Sequence, residues 1–121
     1  MVDARKQVKN ALLTVCDNVK MSRPAGDPQL PLVVYAQVGN TPINSLYVRL
    51  KWRISVYCST LSELVKLCDE VDNVMSEQLG FTLTGKTGDD TARVETDLYM
   101  CKLNYAGLVN KQTLGVIKYS T

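Results

Sequence analysis

The chain has 121 residues, of which 45% are hydrophobic and 21% are charged, and its formal net charge is +2. This length and apolar fraction suit a single domain, residues 1–121, that buries most of its apolar surface. The small net charge is weak support for a dedicated nucleic-acid binder. No apolar run approaches the roughly 20 residues that span a bilayer, and the N-terminus lacks a signal-peptide pattern, so we expect a cytosolic product with no membrane segment.

The residues that usually carry catalysis are scarce. The chain contains no histidine, which removes the commonest general base and the usual partner of a nucleophilic serine or cysteine. Its four cysteines are Cys16, Cys58, Cys68 and Cys101. They form no C-x-x-C pair and have apolar neighbours, which predicts buried, reduced thiols and no zinc site. We therefore expect no catalytic residue, no metal and no cofactor.

The first part of the chain predicts a helix, a loop and a strand. Apolar residues in segment 3–20 recur with the 3-4 spacing of a buried helix face. The next segment, SRPAGDPQLP, contains three prolines and a glycine, so the helix must end before it and a loop must follow. LVVYAQV, residues 32–38, is rich in β-branched and aromatic residues and predicts the first strand.

The clearest pattern follows the turn GNTPIN. From Leu46 to Cys58 every even-numbered residue is apolar. The odd positions carry Tyr47, Arg49, Lys51, Arg53, Ser55 and Tyr57. A period of two predicts a long strand with one face on the core and the other on solvent or a partner. Trp52 lies in the middle of the apolar face, so we expect it to anchor the core.

A second helix is predicted over residues 60–79. Thr60 and Glu63 have the spacing of a capping box, in which each side chain satisfies a free backbone donor of the first turn. Apolar residues follow at helical spacing: Leu61, Leu64, Cys68, Val71 and Met75. Gly80 is placed to end the helix in a left-handed conformation.

The stretch GFTLTGKT, residues 80–87, matches the phosphate-binding pattern G-x-x-x-x-G-K-[ST] at each fixed position. A phosphate-binding loop follows a buried strand and opens into a helix. This stretch instead follows a predicted helix, and its interior alternates like a strand. We therefore interpret it as a helix cap, a short strand and a mobile turn over GKTGDDTA, residues 85–92, and a nucleotide hydrolase is disfavoured.

The C-terminal part predicts more sheet. VETDLYMCKLNYAGLV, residues 94–109, predicts a long strand whose apolar phase changes, which indicates either a bulge or a part buried on both faces. Residues 114–119 add an optional short edge strand. The order α-β-β-α-β-β predicts an α+β domain, in which a largely antiparallel sheet of about four strands packs with two helices.

The charged strand faces allow two interpretations. The basic residues at positions 49, 51 and 53 are flanked by two tyrosines on the same face, which resembles a platform for single-stranded nucleic acid. Alternatively, Glu95 and Asp97 alternate on one face of another strand, and opposite charges on neighbouring strands stabilise a sheet by about 0.2–1 kcal/mol per pair. We favour the second interpretation, a solvated or interface ladder.

The order of these pieces resembles the tail-completion, or tail-terminator, proteins of long-tailed bacteriophages. The similarity covers residues 30–107 through LPLVVYAQVGNTP, VRLKWRISVYC, ELVKLCDEVDNVMSEQLGF and VETDLYMCKLNYAG. It implies a ring, commonly a hexamer, that caps the head-proximal end of the tail tube and docks to head-completion proteins. It also implies a place in the virion, an α+β fold, no enzymatic activity and no cofactor, with genomic DNA passing the ring lumen as cargo.

A ring subunit needs two unlike lateral faces, and long strands with a polar side suit this role. We therefore expect subunit and partner contacts on the polar strand face and around the turn after the second helix. The residues are Tyr47, Arg49, Lys51, Arg53, Lys86, Asp89, Asp90, Glu95 and Asp97. The alternative function is that of a small single-stranded nucleic-acid-binding protein.

The first prediction concerns the phosphate-binding pattern. Because a helix precedes the stretch and a strand occupies it, the wild-type protein should show no micromolar binding of ATP or GTP in titration calorimetry. Lys86→Ala should fold normally and give the same result. Micromolar nucleotide binding that this substitution abolishes would contradict the interpretation.

Overall fold

The computed structural model describes residues 4–21, 29–87, 93–95 and 98–117. These residues form two α-helices and one seven-stranded, mainly antiparallel sheet, so the predicted α+β class is confirmed. The helices are α1 (Arg5–Leu12) and α2 (Leu61–Asp72), and α2 continues as a π-helical segment, Asn73–Gln78. The strands are β1 (Val19–Lys20), β2 (Leu32–Pro42), β3 (Tyr47–Cys58), β4 (Thr82–Thr87), β5 (Arg93–Glu95), β6 (Leu98–Asn110) and β7 (Val116–Ile117).

The sheet is built around the β3–β6 pair. Its main strand order is β1-β2-β3-β6-β4, with β5 and β7 also paired to β6. Only β1 runs parallel to its neighbour, β2. β3 pairs with β6 over twelve consecutive residues, from Tyr47 opposite Asn110 to Cys58 opposite Tyr99. β1, of two residues, was not predicted because so short a strand leaves no periodic pattern. The single strand predicted over residues 94–109 is wrong at its start, because residues 94–95 belong to the separate strand β5, which pairs with β6, and β6 begins at Leu98.

The helices cover one face of the sheet, and the main core lies between the helices and that face. On β3, even-numbered residues from Val48 to Cys58 are buried, as the alternation predicts. Trp52 is fully buried, which confirms its predicted place in the core. Its ring meets the ring of Phe81 edge-on, with centroids 6.4 Å apart. Such aromatic pairs stabilise by about 0.5–1.5 kcal/mol beyond the area they bury.

The second helix begins and ends where the sequence predicts. Thr60 Oγ1 accepts a hydrogen bond from the Glu63 amide at 3.3 Å, and Gly80 adopts a left-handed φ of 85°. The π-helical segment between them was not predicted. It begins directly after Asp72, whose carboxylate accepts hydrogen bonds from the hydroxyls of Tyr105 at 2.8 Å and Ser76 at 3.1 Å. These contacts tie the end of α2 to the centre of β6.

The first helix is shorter than predicted. The helix expected over residues 3–20 ends at Leu12, and Val19–Lys20 form β1 instead. Asp17 and Asn18 are poor helix formers, and the Asn18 carbonyl accepts a hydrogen bond from the Val33 amide at 3.0 Å. Pairing with β2 therefore replaces the last turns of helix. Most of the predicted loop over residues 22–31 lies outside the described residues.

A second, smaller cluster lies on the opposite face of the sheet, near one end. Its buried residues are Leu32, Tyr57 and Leu98, with half-buried Val34 and Met100 packed against them. The start of β6 is therefore buried on both faces, which is one of the two predicted explanations for its change of apolar phase. The other explanation was a bulge in this strand. It is wrong where β6 pairs with β3, because the register of that pair is uninterrupted.

Strands β2 and β4, which flank the central pair, each contain a bulge. The register of β2 shifts between Gln37 and Gly39, and that of β4 shifts between Leu83 and Gly85. The extra residues are Val38 in β2 and Thr84 in β4. A bulge reverses the alternation of side chains that follow it, so each strand changes the face that its later residues occupy.

The packing around Gly107 gives the second prediction. A Cβ atom at this position would lie 2.6 Å from Phe81 Cδ1 and 3.0 Å from Val116 Cγ1. The Phe81 ring packs against Trp52 and has little freedom to move. Gly107→Ala should therefore destabilise the protein by about 1–3 kcal/mol, the usual cost of overpacking, as measured by urea denaturation.

Two further variants test the cause of this effect. Gly85→Ala is a matched control, because its Cβ would have Asn104 Nδ2 as nearest neighbour at 3.7 Å, an ordinary contact distance. In a Phe81→Leu background the added cost of Gly107→Ala should shrink, since the clashing ring atoms are gone. Equal stability losses for Gly107→Ala and Gly85→Ala would show that the ring contact is not responsible.

Candidate functional site

The phosphate-binding pattern does not form a phosphate-binding loop. Gly80 ends the helical segment, and Thr82–Thr87 is strand β4, paired with β6. An extended strand does not curl its amides around a phosphate as a helix N-terminus does. The predicted turn over residues 85–92 is therefore wrong for residues 85–87, which continue the strand. Residues 88–92, including Asp89 and Asp90, lie outside the described residues.

One face of the sheet is not covered by α1 or α2, and we call it the open face. On β3 it carries Arg49, Lys51 and Arg53, all exposed. Residues paired directly across neighbouring strands share a face, so Lys102 and Asn104 of β6 also lie there. Arg53 Nε donates a hydrogen bond to Asn104 Oδ1 at 3.4 Å. We call Arg49, Lys51, Arg53 and Lys102 the basic stripe.

No carboxylate occupies the positions directly across from the β3 cations. Their partners on β2 are Thr41, Gly39 and Ala36, and those on β6 are Leu108, Ala106 and Asn104. The predicted ladder with Glu95 is wrong, because Glu95 pairs with Leu98, beyond the last residue of the β3–β6 pairing. Asp97 lies outside the described residues. Among the residues that the structure describes, no carboxylate is paired with these like charges, which repel one another.

The other predicted contact residues are distributed over both faces. Tyr47 is half-buried on the open face, opposite Asn110. Tyr57 is 8% exposed in the second cluster, so it cannot serve in the aromatic platform that was the less favoured interpretation of this face. Lys86 is exposed but pairs with the core-facing Leu103, which places it on the helix-covered face. The structure therefore brings the β3 cations together and separates Lys86 from them.

Carboxylates are found instead in the helix layer. They are Glu63, Asp69, Glu70, Asp72 and Glu77, whereas Asp17 lies in the connection between α1 and β1. The same layer carries Lys6 and Lys9 on α1 and Lys66 on α2, so its charge is mixed. Within the described part of the chain, the two faces thus differ: the open face carries positive charge only, and the helix layer carries both signs.

The β2–β3 turn presents two apolar side chains: Ile43, which the sequence analysis did not single out, and Leu46, which the alternation wrongly placed on the core face. Ile43 is 47% exposed and Leu46 is 51% exposed, and we call residues 43–46 the hairpin tip. Asn44 Oδ1 accepts hydrogen bonds from the amides of Leu46 and Tyr47 at 2.8 and 2.9 Å. Lys111 braces the tip, since its amide donates to the Leu46 carbonyl at 2.8 Å and its Nζ to the Asn44 carbonyl at 2.7 Å. The sequence signal for this exposed tip was the presence of Ile43 and Leu46 in the segment GNTPINSL.

The four cysteines are buried free thiols, as predicted. Burial is the main cause that raises the pKa of Cys16, and burial with nearby Glu63 raises the pKa of Cys58 to about 12. The pKa of Cys68 is raised by a hydrogen bond with Cys101 and by burial. Because the thiolate is the nucleophile, these groups are unreactive near neutral pH.

The cavities of the described residues differ in chemistry: one of about 280 Å³ is lined in part by Cys58, Glu63, Lys66 and Glu70. A cleft of about 630 Å³ lies between α1, the end of the π-helical segment and the β6–β7 turn. Its walls include Val8, Leu79, Phe81 and Leu114, and none of its lining residues has a titratable side chain. Within the same described ranges, no group of three or more His, Cys, Asp or Glu side chains could hold a metal ion.

Comparisons with known proteins add no family to this picture. No protein-family model matches the chain, and no curated protein matches it. In the part of the chain that the structure describes, none of the helices has the length and apolar character needed to cross a membrane. The class defined by fold and surface is an α+β domain with a basic, uncovered sheet face.

The third prediction concerns the thiols. Because burial raises the pKa of Cys58 and Cys68, both should stay protonated in the folded protein at pH 8, at which an ordinary free thiol is partly ionised. An aromatic disulfide reagent should therefore label almost no cysteine in the native state within minutes, and all four after denaturation. Rapid labelling of one thiol in the native protein would reveal a reactive cysteine.

Proposed function

We propose that this protein is a phage tail terminator, a non-enzymatic virion protein assembled in the host cytoplasm. It forms a ring, with six subunits as the expected number, that caps the head-proximal end of the tail tube and joins it to the head-completion proteins. The segments that resemble this family correspond to β2, β3, α2 and β6, the central strands and their covering helix. The resemblance therefore rests on the elements that build the core, which supports the proposal.

The observation that carries the proposal is the open face of β3. Within the described residues, the three aligned cations have no carboxylate directly across from them and no helix over them, an arrangement that does not stabilise a monomer. A partner of opposite charge relieves this repulsion and gains specificity and association rate from it. The open face is therefore suited to contact another component of an assembly.

The hairpin tip supports contact between subunits. A ring forms when two different surfaces of the same protein meet in a head-to-tail contact that closes. Ile43 and Leu46 offer an apolar contact area, and the hydrogen bonds of Asn44 and Lys111 hold the turn in place before binding. A preorganised turn loses little conformational entropy on association. We assign the subunit contact to this tip.

A single-stranded nucleic-acid-binding protein is the second candidate function, and the basic stripe favours it. Proteins of that class combine basic residues with aromatic side chains on which bases stack. Tyr57 is buried and Tyr47 is half-buried, so the open face offers cations without a stacking platform. The tail-terminator proposal is therefore the better supported of the two.

The fourth prediction tests ring formation. Light scattering and electron microscopy of the purified protein, alone and mixed with tail tubes, should show rings or capped tubes. Ile43→Asp/Leu46→Asp should fold normally and lose assembly at micromolar concentration, because each carboxylate would be desolvated in an apolar contact. In phage complementation this variant should give filled heads beside separate tails or tails of uncontrolled length.

Leu61→Asp/Val65→Asp is the matched control, since these residues are an exposed aliphatic pair on α2, 37% and 48% exposed. It should assemble normally. A wild-type protein that stays monomeric even with tail tubes present contradicts the proposed function. Normal rings from the hairpin variant contradict only the assignment of the subunit contact.

A further inference from the structure

The basic stripe is an evenly spaced row of cations. Alternate residues of a strand lie about 6.6 Å apart, so the row from Arg49 to Arg53 spans about 13 Å. Lys102 continues it on β6, where it lies opposite Ser55, two residues beyond Arg53. The phosphates of one strand of duplex DNA recur about every 3.4 Å along the axis, so a row of this length faces about four of them.

The surroundings of the stripe favour a nucleic-acid backbone over a protein partner. The cations are flanked mainly by small or polar residues: Ala36, Gly39, Thr41, Asn104 and Ala106. Protein interfaces depend on aromatic or large apolar anchors in their centre. Here the large side chains, Tyr47, Val34, Met100 and Leu108, are all half-buried, and none is an exposed anchor among the cations. Arg, Lys, Asn and Thr are, by contrast, common donors to phosphate oxygens.

The same composition argues against base recognition. Reading unstacked bases requires exposed aromatic rings, whereas Tyr57 is buried beneath this face. A row of cations on a flat sheet contacts phosphates without regard to sequence.

We propose that the basic stripe binds the sugar–phosphate backbone of duplex DNA without sequence preference. This assignment builds on the proposed function, because in a tail-terminator ring it places the open face on the lumen, along the path of the genome. A single protomer neutralises about four phosphates and binds weakly, with a Kd of about 10⁻⁴–10⁻⁶ M at physiological salt. Several protomers around one duplex raise the overall affinity without any new contact.

The test uses fluorescence anisotropy with a labelled 20-base-pair duplex between 50 and 200 mM NaCl. Four phosphate contacts give a slope of about −3.6 for log affinity against log salt, so binding should weaken about 150-fold over this range. Arg49→Gln/Lys51→Gln/Arg53→Gln should reduce the slope to about −0.9 and the loss to about 3-fold. Circular dichroism checks that this variant is folded, as expected for three exposed side chains.

Lys6→Gln/Lys9→Gln/Lys66→Gln is the matched control, because it removes three exposed cations from the helix layer and gives the same net charge. It should keep the steep slope of the wild type. An equal loss in both variants would show a general charge effect and overturn the proposal. Tighter binding of a single strand than of the duplex would overturn it in favour of base contact.

Light scattering monitors ring assembly in the same samples. Failure of the DNA-binding inference can then be distinguished from failure of the tail-terminator proposal. Loss of DNA binding with rings intact supports the stripe as a DNA-contact surface. Unchanged DNA binding together with lost rings or lost tail docking in the stripe variant would make the stripe a protein interface and overturn the inference. A wild type without rings refutes the tail-terminator proposal, whereas its salt slope still decides whether the stripe binds DNA.

Discussion

The uninterrupted pairing of β3 with β6 is the constraint on which the rest of the structure depends. Its twelve residue pairs place Trp52 opposite Tyr105 in the core and leave Arg49, Lys51 and Arg53 on the open face. A slip of one residue would exchange the two faces and bury three cations. The free-energy cost of burying these charges would far exceed any gain from the residues exchanged with them. The hydrophobic alternation of β3 therefore fixes both the core and the position of the charged surface.

The structure follows the sequence pattern wherever a local signal decides the conformation. The alternation of β3, the cap at Thr60 and the left-handed Gly80 are local, and each was predictable. Contacts between residues distant in sequence decide the rest. The end of α1 depends on the bond between Asn18 and Val33, and the π-helical segment starts at Asp72, where Tyr105 of another element binds. No spacing within either segment encodes these partners.

The same distinction applies to the candidate contact residues. The cations of β3 share a face because a period of two is local, but their neighbours on other strands depend on register. Glu95 was therefore misplaced, since its strand pairs beyond the end of β3. Lys86 was predicted in a turn, but residues 85–87 continue β4, and the bulge at Thr84 places Lys86 on the helix-covered face. The hairpin tip was missed because Ile43 in a turn has no periodic signature, and because Leu46 fits the alternation but precedes the first residue of β3.

The bulges at Val38 and Thr84 also bear on how the protein can associate. A flat strand with free backbone groups is a template on which further strands add without limit, as in cross-β fibrils. In β2 and β4 the extra residue breaks the regular spacing of those groups, and Pro42 at the end of β2 lacks an amide hydrogen. Addition of further strands at these edges is therefore hindered. A sheet built in this way is a poor template for open-ended aggregation.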